Sequence, residues 1–393
     1  MATKRKDVAK AYILYRDKRN KEREGNIDWM KLISEKIQAK NVQNQNANVD
    51  ERSFGGRKGE ADSVLMREIA LNHIGMSKKA RDNHLNNRIY IHDLDAYAVG
   101  MHNCLTIPFD DLLANGFNTR QADIRPANSV NTAFQLVAVL FQLQSLQQFG
   151  GVSASHIDWT MVPYVRKSFL KHYIVAWLKD RDEFLALDLM GMLFNTYSEK
   201  IEDNLAIYRN GLEDWTDNHK EMFFKETGLK EEDFFFNSPK LNKKYAQSAM
   251  YDTIAETKQA VEGMYHNLNT LQSRSGNQLP FTSINYGTCT LPEGRLIIKA
   301  LLEGSLHGVG KLHKTPIFPC GIFQCMKGVN RAPEDPNYDL FRLALKSTAK
   351  RLYPNYANVD WSGNAGYDRN DPRTYFSTMG CRTANGWDIN GLG

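Results

Sequence analysis

The sequence lacks any apolar run long enough to cross a membrane. Its longest apolar stretches, residues 136–141 and 174–178, fall far short of the roughly 20 residues that a bilayer span needs. The basic amino terminus is followed by charged residues, with neither an apolar core nor a small-residue cleavage site, so a secretory signal is absent too. These absences predict a cytoplasmic protein with no membrane partner.

Cysteine is scarce. The five cysteines are odd in number and widely spread, and no two of them form a C-x-x-C pair, which argues against a disulfide framework and a four-cysteine zinc site. His92 with Asp93 and Asp95, and His102 near Cys104, offer the residue types of a mixed metal site, but local hydrogen bonding is the commoner role of such residues. We therefore predict that this chain itself holds no metal. Walker, Rossmann and H-E-x-x-H motifs are also missing.

Excess charge is small. The 50 basic and 45 acidic residues leave a net charge of +5, much of it within the first 25 residues. No zinc-finger, RNA-recognition or OB signature accompanies this basic stretch, so a solvated helix face is favoured over direct nucleic-acid binding. The remaining composition, with 42% hydrophobic residues, is that of a globular protein.

The spacing of apolar residues predicts an α/β protein rich in helix. Ser129 is a predicted N-cap for a long helix that reaches residue 148. Further helices are predicted over residues 7–24, 61–72, 76–86, 163–177, 246–271 and 339–351. Residues 88–92 alternate as a strand does, and PFTSINYGT and TPIFPCGIFQC are short β-like runs on either side of the helical RLIIKALLEG. This alternation favours strands that are buried by outer helices.

Two thiols stand in settings that suit chemistry. Cys381 follows a glycine and precedes an arginine, so a flexible backbone and a nearby positive charge favour a reactive thiol. Cys104 follows the predicted strand at residues 88–92 and has polar neighbours. A purely structural role remains an alternative for both.

Six motifs occur in an order that resembles one enzyme family. They are IYIHDLDAYAVGMHNCL, RPANSVNTAFQLVAVLFQLQSLQQFGGVSASHIDWTMVPYVRKSFLKHY, SRSGNQLPFTSINYGT, TPIFPCGIF, DPNYDLFRLALKSTAKRLYP and STMGCRT. Together they resemble the large subunit of anaerobic (class III) ribonucleoside-triphosphate reductases from about residue 50 to the end. Another glycyl-radical enzyme, such as a formate-lyase relative, is disfavoured because it lacks the HDLD and effector-helix motifs.

The resemblance implies a ten-stranded α/β barrel of the glycyl-radical and ribonucleotide reductase type. Here we expect only the first half-barrel and the finger loop, surrounded by many helices. Residues 1–25 resemble the last helix of an ATP-cone, residues 26–60 form a linker, and residues 61–393 form the barrel portion. Dimer and effector helices are expected at about residues 126–180.

The resemblance also assigns the site. Cys381 is the thiyl that removes the 3′ hydrogen of a ribonucleoside triphosphate, and Cys104 supplies a hydrogen on the face from which the 2′ oxygen departs. Met379 is the residue type of the formate-dependent enzymes, although loop packing explains it equally. The other three cysteines, Cys289, Cys320 and Cys325, match no catalytic position and are expected to pack.

Regulation is implied at the effector helices. Lys171 matches a family contact to the phosphates of a deoxynucleoside triphosphate or ATP effector, and Ser129 begins the neighbouring helix. An ordinary solvated lysine is the open alternative for Lys171. The helix after RPANSV is expected to pair across a two-fold axis, which predicts a homodimer.

The glycyl-radical loop and the four-cysteine zinc site of the family have no counterpart in these residues. We expect a separate C-terminal reductase portion to carry the glycyl radical and zinc, and a radical-SAM activase to bring S-adenosylmethionine and a [4Fe-4S] cluster. A split gene of the kind found in phage genomes, a truncated frame and an inactive remnant are the three explanations. The rival function is a non-catalytic fragment that dimerises and binds a deoxynucleotide.

Overall fold

A computed structural model describes residues 54–99, 104–148, 150–179, 239–273, 278–361 and 367–380. The chain divides into two compact units, of which the first includes residues up to Asn103 and the second begins at Cys104. The expected helix at residues 7–24 lies outside the described residues. No helix within the described ranges is both long and apolar enough to span a bilayer.

The described part of the first unit contains three helices. They are α1 (Phe54–Asn72), α2 (Lys78–Leu85) and α3 (Leu94–Tyr97). Helix α1 begins seven residues before the helix expected at residue 61, inside the segment expected to be a linker. Ala70, Leu71 and Leu94 form its small core, and Ser63 Oγ donates a hydrogen bond of 2.6 Å to Asp95.

The strand predicted at residues 88–92 is wrong. These residues form turns and irregular backbone, and Tyr90 is 77% exposed. The Nδ1 atom of His84 accepts a hydrogen bond of 3.2 Å from the Ile91 backbone N–H. Among the described residues, no strand pairs with this segment.

A parallel sheet of five strands organises the second unit. Its spatial order is β1 (Leu105–Thr106), β4 (Val152–Ala154), β5 (Thr282–Tyr286), β6 (Cys320–Cys325) and β7 (Asn355–Asn358). A separate antiparallel pair is made by β2 (Phe117–Asn118) and β3 (Asp123–Ile124). The helices are α4 (Phe109–Asn115), α5 (Val130–Ser145), α6 (Ile157–Thr160), α7 (Val162–Lys179), α8 (Pro239–Thr270), α9 (Pro292–His307) and α10 (Tyr338–Arg351).

The order of the strands determines where the helices lie. Each strand of the five-stranded sheet pairs in parallel with the next one along the chain, and helices connect them. Because such crossovers are almost always right-handed, an unreversed order puts all of these helices on one face. Apolar side chains of that face, such as Ile284 and Phe323, are fully buried. Among the described residues, this order assigns no connecting helix to the opposite face.

The helices of the second unit follow the sequence pattern closely. Ser129 caps α5, because its Oγ accepts a hydrogen bond of 3.1 Å from the backbone N–H of Thr132. Helices α7, α9 and α10 cover the segments predicted to be helical, and α8 begins seven residues before its predicted start and ends one residue before its predicted end. The α/β class is confirmed. The described strands amount to five parallel ones in a single sheet and one short antiparallel pair.

Candidate functional site

The face of the five-stranded sheet opposite the described connecting helices is mostly polar. Partners in the parallel register point to the same side, so side chains from neighbouring strands can be assigned to one face. On this face lie Thr106, Ser153, Ser283, Asn285, Cys320 and Gln324. We call these six residues the polar face. Burying hydroxyl, amide and thiol groups costs free energy unless they form hydrogen bonds, so this face is suited to polar contacts.

Residues 376–380 cross the polar face, and Asn285 clamps them there. The backbone N–H of Thr378 donates to Asn285 Oδ1 at 3.1 Å, and Asn285 Nδ2 donates to the Thr378 carbonyl at 2.9 Å. The same Nδ2 donates to the Ala154 carbonyl on β4 at 3.0 Å. One fully buried amide therefore ties this crossing segment to two strands.

The crossing segment runs from the carboxyl end of the sheet towards its amino end. Gln324, near the end of β6, donates from Nε2 to the Phe376 carbonyl at 3.0 Å. Thr378 lies at Asn285, and Gly380 lies against Cys320, the first residue of β6. The next residue in the sequence is Cys381, which lies outside the described residues.

Gly380 allows the crossing segment to approach the sheet closely. A Cβ atom at this position would lie 3.0 Å from Cys320 Sγ and 3.1 Å from Cys320 Cβ, which is tighter than ordinary packing. Cys320 therefore does more than fill space between helices, because it forms part of the floor under the segment. Met379, the preceding residue, is buried with 2% of its surface exposed.

Cys104 lies at the amino end of the sheet, directly before β1. Its Sγ accepts a hydrogen bond of 3.3 Å from the Gly151 backbone N–H, and the thiol is half-buried and not in a disulfide. Alternation along the chain places Cys104 on the same side as Thr106 and hence on the side of the polar face. The crossing segment thus runs towards the end of the sheet at which Cys104 lies.

A hydrogen-bonded chain of three side chains lies at the opposite end of β4. The Asp110 carboxylate is 2.7 Å from His156 Nε2, and His156 Nδ1 is 2.7 Å from Ser155 Oγ. Burial favours the neutral imidazole, but the charge of Asp110 and its hydrogen bond outweigh burial and raise the pKa of His156. Thr160 Oγ1 donates to the second oxygen of Asp110 at 2.6 Å.

The predicted effector residues lie on adjoining helices. Ser168 Oγ on α7 accepts a hydrogen bond of 3.0 Å from the Val130 backbone N–H, directly after Ser129. Lys167 Nζ donates to the Ala127 carbonyl at 3.2 Å, and Lys171 follows one turn later on the same helix. Effector binding by Ser129 and Lys171 stays a prediction.

Metal binding was expected to be absent from this chain. In the parts of the chain that the structure describes, no three His, Cys, Asp or Glu side chains come together as a potential metal site. His92 instead contacts Asp93 next to it.

Sequence reasoning missed the residues that build the floor of the site. Asn285, Gln324, Ser155 and His156 were not singled out, although a Ser-x-Asn alternation inside the predicted strand is a polar signal in an apolar setting. Their importance depends on contacts between residues far apart in the chain. Asn285 and Thr378, for example, are separated by 93 positions.

The chain is similar to one protein family over most of its length. The family described as "Anaerobic ribonucleoside-triphosphate reductase" matches residues 45–391. Proteins of that name are 29% identical in Haemophilus influenzae, over 92% of this chain and 42% of the relative, and 27% identical in Escherichia coli, over 98% and 45%. The enzyme of Enterobacteria phage T4 is 27% identical over 88% of this chain and 46% of its own length.

Among solved structures, the anaerobic ribonucleotide reductase from Thermotoga maritima in complex with dATP and CTP is similar. It has a TM-score of 0.47 and 12% sequence identity, covering 79% of this chain and 44% of that chain. The chain spans less than half the length of these relatives and of this structure.

Proposed function

This chain belongs to the anaerobic ribonucleoside-triphosphate reductase family, and from that premise we propose that it supplies the thiol-bearing half of such an enzyme. The substrate would be a ribonucleoside triphosphate and the product its 2′-deoxy form. The observation that carries the proposal is the crossing segment, which Asn285 and Gln324 hold on the polar face as it runs towards the end where Cys104 lies.

Cys381 would act as the thiyl radical. It removes the 3′ hydrogen of the ribose, so that an S–H bond forms as the C–H bond breaks and the radical moves to C3′. A radical at this carbon makes loss of the adjacent 2′ hydroxyl accessible, although hydroxide is otherwise a poor leaving group. Support comes from Gly380, whose close contact with Cys320 fixes the residue immediately before Cys381 at the polar face.

Cys104 would donate the hydrogen with which the 2′ oxygen leaves as water. Formate would be the final reductant, with Met379 beside the thiyl position as the residue type that favours it. In balance, one ribonucleoside triphosphate, one formate and one proton give one deoxyribonucleoside triphosphate, one carbon dioxide and one water. Formate is oxidised by two electrons and the 2′ carbon is reduced by two.

The sheet supports an incomplete barrel. A parallel sheet whose helices all lie on one face needs cover on the other, and closure into a barrel is the usual solution. We propose that a C-terminal reductase portion completes a ten-stranded barrel over the polar face. That portion would carry the glycyl radical and zinc, and a radical-SAM activase with a [4Fe-4S] cluster would generate the radical from S-adenosylmethionine.

Regulation would involve a dimer. Helix α5 exposes Val139 and Leu143, each 38% exposed and one turn apart, in a stripe that continues with the exposed Asn131 and Gln135. We propose that this surface pairs with a second copy of the chain, and that a deoxynucleoside triphosphate or ATP effector binds near Ser129 and Lys171. A lysine point charge suits a phosphate group.

Anoxic co-expression with the C-terminal portion and the activase tests the proposal. Deoxyribonucleotide should form, and ¹⁴C-formate should release labelled carbon dioxide in equal amount. Cys381→Ala and Cys104→Ala should each abolish product, whereas the matched control Cys325→Ala should retain it, because alternation puts Cys325 on the helix-covered face. Residual turnover in Cys381→Ala would rule out the thiyl assignment.

The rival function is a non-catalytic fragment that dimerises and binds a deoxynucleotide. The observation in its favour is the exposed apolar pair Val139 and Leu143 on α5, which suits pairing with a second copy. It predicts dATP binding by this chain and no product with any complement.

A further inference from the structure

We propose that Ser155 is a switchable hydrogen-bond donor to a neutral oxygen of the bound nucleoside, and that His156 and Asp110 act as positioning residues that set the direction of its hydroxyl. The inference rests on the proposed function for the identity of the ligand. It concerns the end of β4 that lies opposite Cys104, which the reductase chemistry described above does not use.

The hydrogen-bond chain has only two arrangements. Asp110 accepts from His156 Nε2–H at 2.7 Å in either charge state of the imidazole, so the tautomer is fixed. When His156 is protonated, Nδ1–H donates to Ser155 Oγ and the hydroxyl proton is left to donate elsewhere. When His156 is neutral, Nδ1 accepts a hydrogen bond from the Ser155 O–H, so towards any other group the Ser155 oxygen can only accept.

The groups that face His156 come from three elements. Asp110 belongs to α4, Asp158 to α6, and Asp371 to the segment that leads to the crossing segment. Arg373, which is paired with Asp371 at 2.7 Å, also attracts the Asp110 carboxylate and favours its charged form. Three carboxylates against one arginine favour the protonated imidazole, which agrees with the raised pKa of His156.

A second observation points to a ligand beside Ser155. Gln324 Nε2 donates to the Ser155 carbonyl at 3.3 Å and to the Phe376 carbonyl. The other end of the same side chain, Gln324 Oε1, is buried and has no hydrogen-bond partner among the described residues. An acceptor and a donor therefore stand close together, as a ligand with both hydroxyl and carbonyl oxygens would require.

The position of Ser155 and the negative charge around His156 favour contact with the nucleoside part of the ligand over contact with its phosphates. Ser155 lies four residues along the chain from Gly151, the neighbour of Cys104, which is about 13 Å at the rise of a strand. A nucleoside triphosphate is long enough to reach from one to the other. The excess of carboxylates around His156 disfavours a phosphate there, so a base carbonyl or sugar hydroxyl is the group that fits.

The test is binding of CTP, cytidine and tripolyphosphate to the full chain, measured by titration calorimetry or NMR from pH 6 to pH 9. CTP and cytidine should bind about tenfold more weakly to Ser155→Ala than to the wild type at pH 6, the usual effect of losing one hydrogen bond. Wild-type affinity for both should fall as pH rises through the pKa of His156, and Ser155→Ala should lose that dependence. The phosphate groups of CTP also change protonation over this pH range, but they do so with both proteins, so this effect cancels when the wild type is compared with Ser155→Ala.

Ser155→Thr keeps the hydroxyl and should restore binding and its pH dependence, whereas Ser77→Ala, a matched loss of a hydroxyl in the first unit, should change nothing. Histidine NMR should show His156 titrating above its ordinary pKa, and Asp110→Asn should lower the pKa of His156.

Unchanged cytidine binding in Ser155→Ala, no binding of CTP or cytidine at any pH, or an effect of Ser155→Ala on tripolyphosphate binding would each overturn the inference. Binding needs no radical, so a lack of reductase activity would count against the proposed function and not against the role of Ser155. Conversely, an active Ser155→Ala enzyme with an unchanged KM would refute the role of Ser155 alone.

Discussion

At the scale of single residues, the four cysteines that the structure describes divide by environment. Cys289 and Cys325 belong to the helix-covered side, and burial raises the pKa of both thiols, that of Cys325 to about 11. Cys104 is half-buried at the sheet end, and Cys320 contacts Gly380. Cys320 is expected to pack, and the part of the molecule it packs against is Gly380 of the crossing segment.

Alkylation should separate these thiols. At pH 8 only about one Cys325 thiol in a thousand is ionised when its pKa is about 11, so native Cys325 should react slowly with iodoacetamide, and about tenfold faster for each pH unit. Mass spectrometry of the labelled peptides measures the rate. The urea-unfolded chain is the control, because its thiols regain an ordinary pKa. Equal rates in the native and unfolded chains at pH 8 would contradict the prediction.

Gly380 should tolerate no side chain. Gly380→Ala places a methyl group against Cys320 Sγ. Because Cys320 belongs to β6 and is held in the sheet, the crossing segment is the part that should move. We expect faster hydrogen exchange at Thr378, whose N–H donates to Asn285, and little change in unfolding midpoint. The double variant Gly380→Ala with Cys320→Gly removes both contacting atoms, Sγ and Cβ, and should recover protection. Full protection of Thr378 in the single variant would refute this account.

The sequence draws attention to motif residues more readily than to the residues that support a site. Cys104, Met379 and Cys381 were singled out because they belong to short motifs, and their catalytic roles stay predictions. Asn285 and Gln324 were not, because an amide in a strand gains meaning only when the register brings it beside a distant segment.

At the scale of helices and strands, prediction succeeded where apolar side chains recur over several turns. Helix α5 was expected from residue 129 and runs Val130–Ser145, and α10 was expected from residue 339 and runs Tyr338–Arg351. The predicted strand at residues 88–92 failed because five alternating residues do not show whether a neighbouring strand exists, and Ile89 is 46% exposed.

A buried ion pair joins α7 to α9. Arg166 Nε lies 2.7 Å from Glu293 Oε1, and the two side chains are 3% and 1% exposed. Glu293→Gln should lower the free energy of unfolding by about 3–5 kcal/mol, because it leaves the guanidinium charge buried without its counter-charge. Urea unfolding measures the loss.

The double variant Arg166→Met with Glu293→Leu should lose much less, since it removes both charges together. The exposed pair between Lys258 and Glu303 is the matched control, and Glu303→Gln should cost about 1 kcal/mol or less. Equal losses from Glu293→Gln and Glu303→Gln would show that burial does not control the strength of the first pair.

At the scale of the whole molecule, the one-sided covering of the sheet is the main feature that sequence alone did not supply. The α/β class follows from alternating strand and helix patterns, but strand order and the make-up of the polar face depend on pairing between distant segments. The resemblance supplied the idea of a half-barrel, and the unreversed order of parallel strands gives it a physical basis.

Association should depend on α5. Val139→Glu places a charge on the exposed apolar surface and should convert a dimer to a monomer in sedimentation velocity, because an unpaired charge is costly at an apolar interface. Leu65→Glu, on an exposed position of α1 in the first unit, is the control and should leave the dimer intact. A wild-type chain that sediments as a monomer would contradict the proposed dimer.

The central proposal is that the crossing segment brings Cys381 close enough to Cys104 for both thiols to react with one ribose. Cross-linking tests it most directly, in a chain whose other three cysteines are replaced by alanine. Dibromobimane, a short bis-thiol reagent, should join Cys104 to Cys381 in a product that mass spectrometry identifies, and Asn285→Ala should reduce the yield by releasing Thr378. If each thiol is labelled singly and only a long bismaleimide, or no reagent, bridges them, the two sulfurs are too far apart to act on one sugar and the account is wrong.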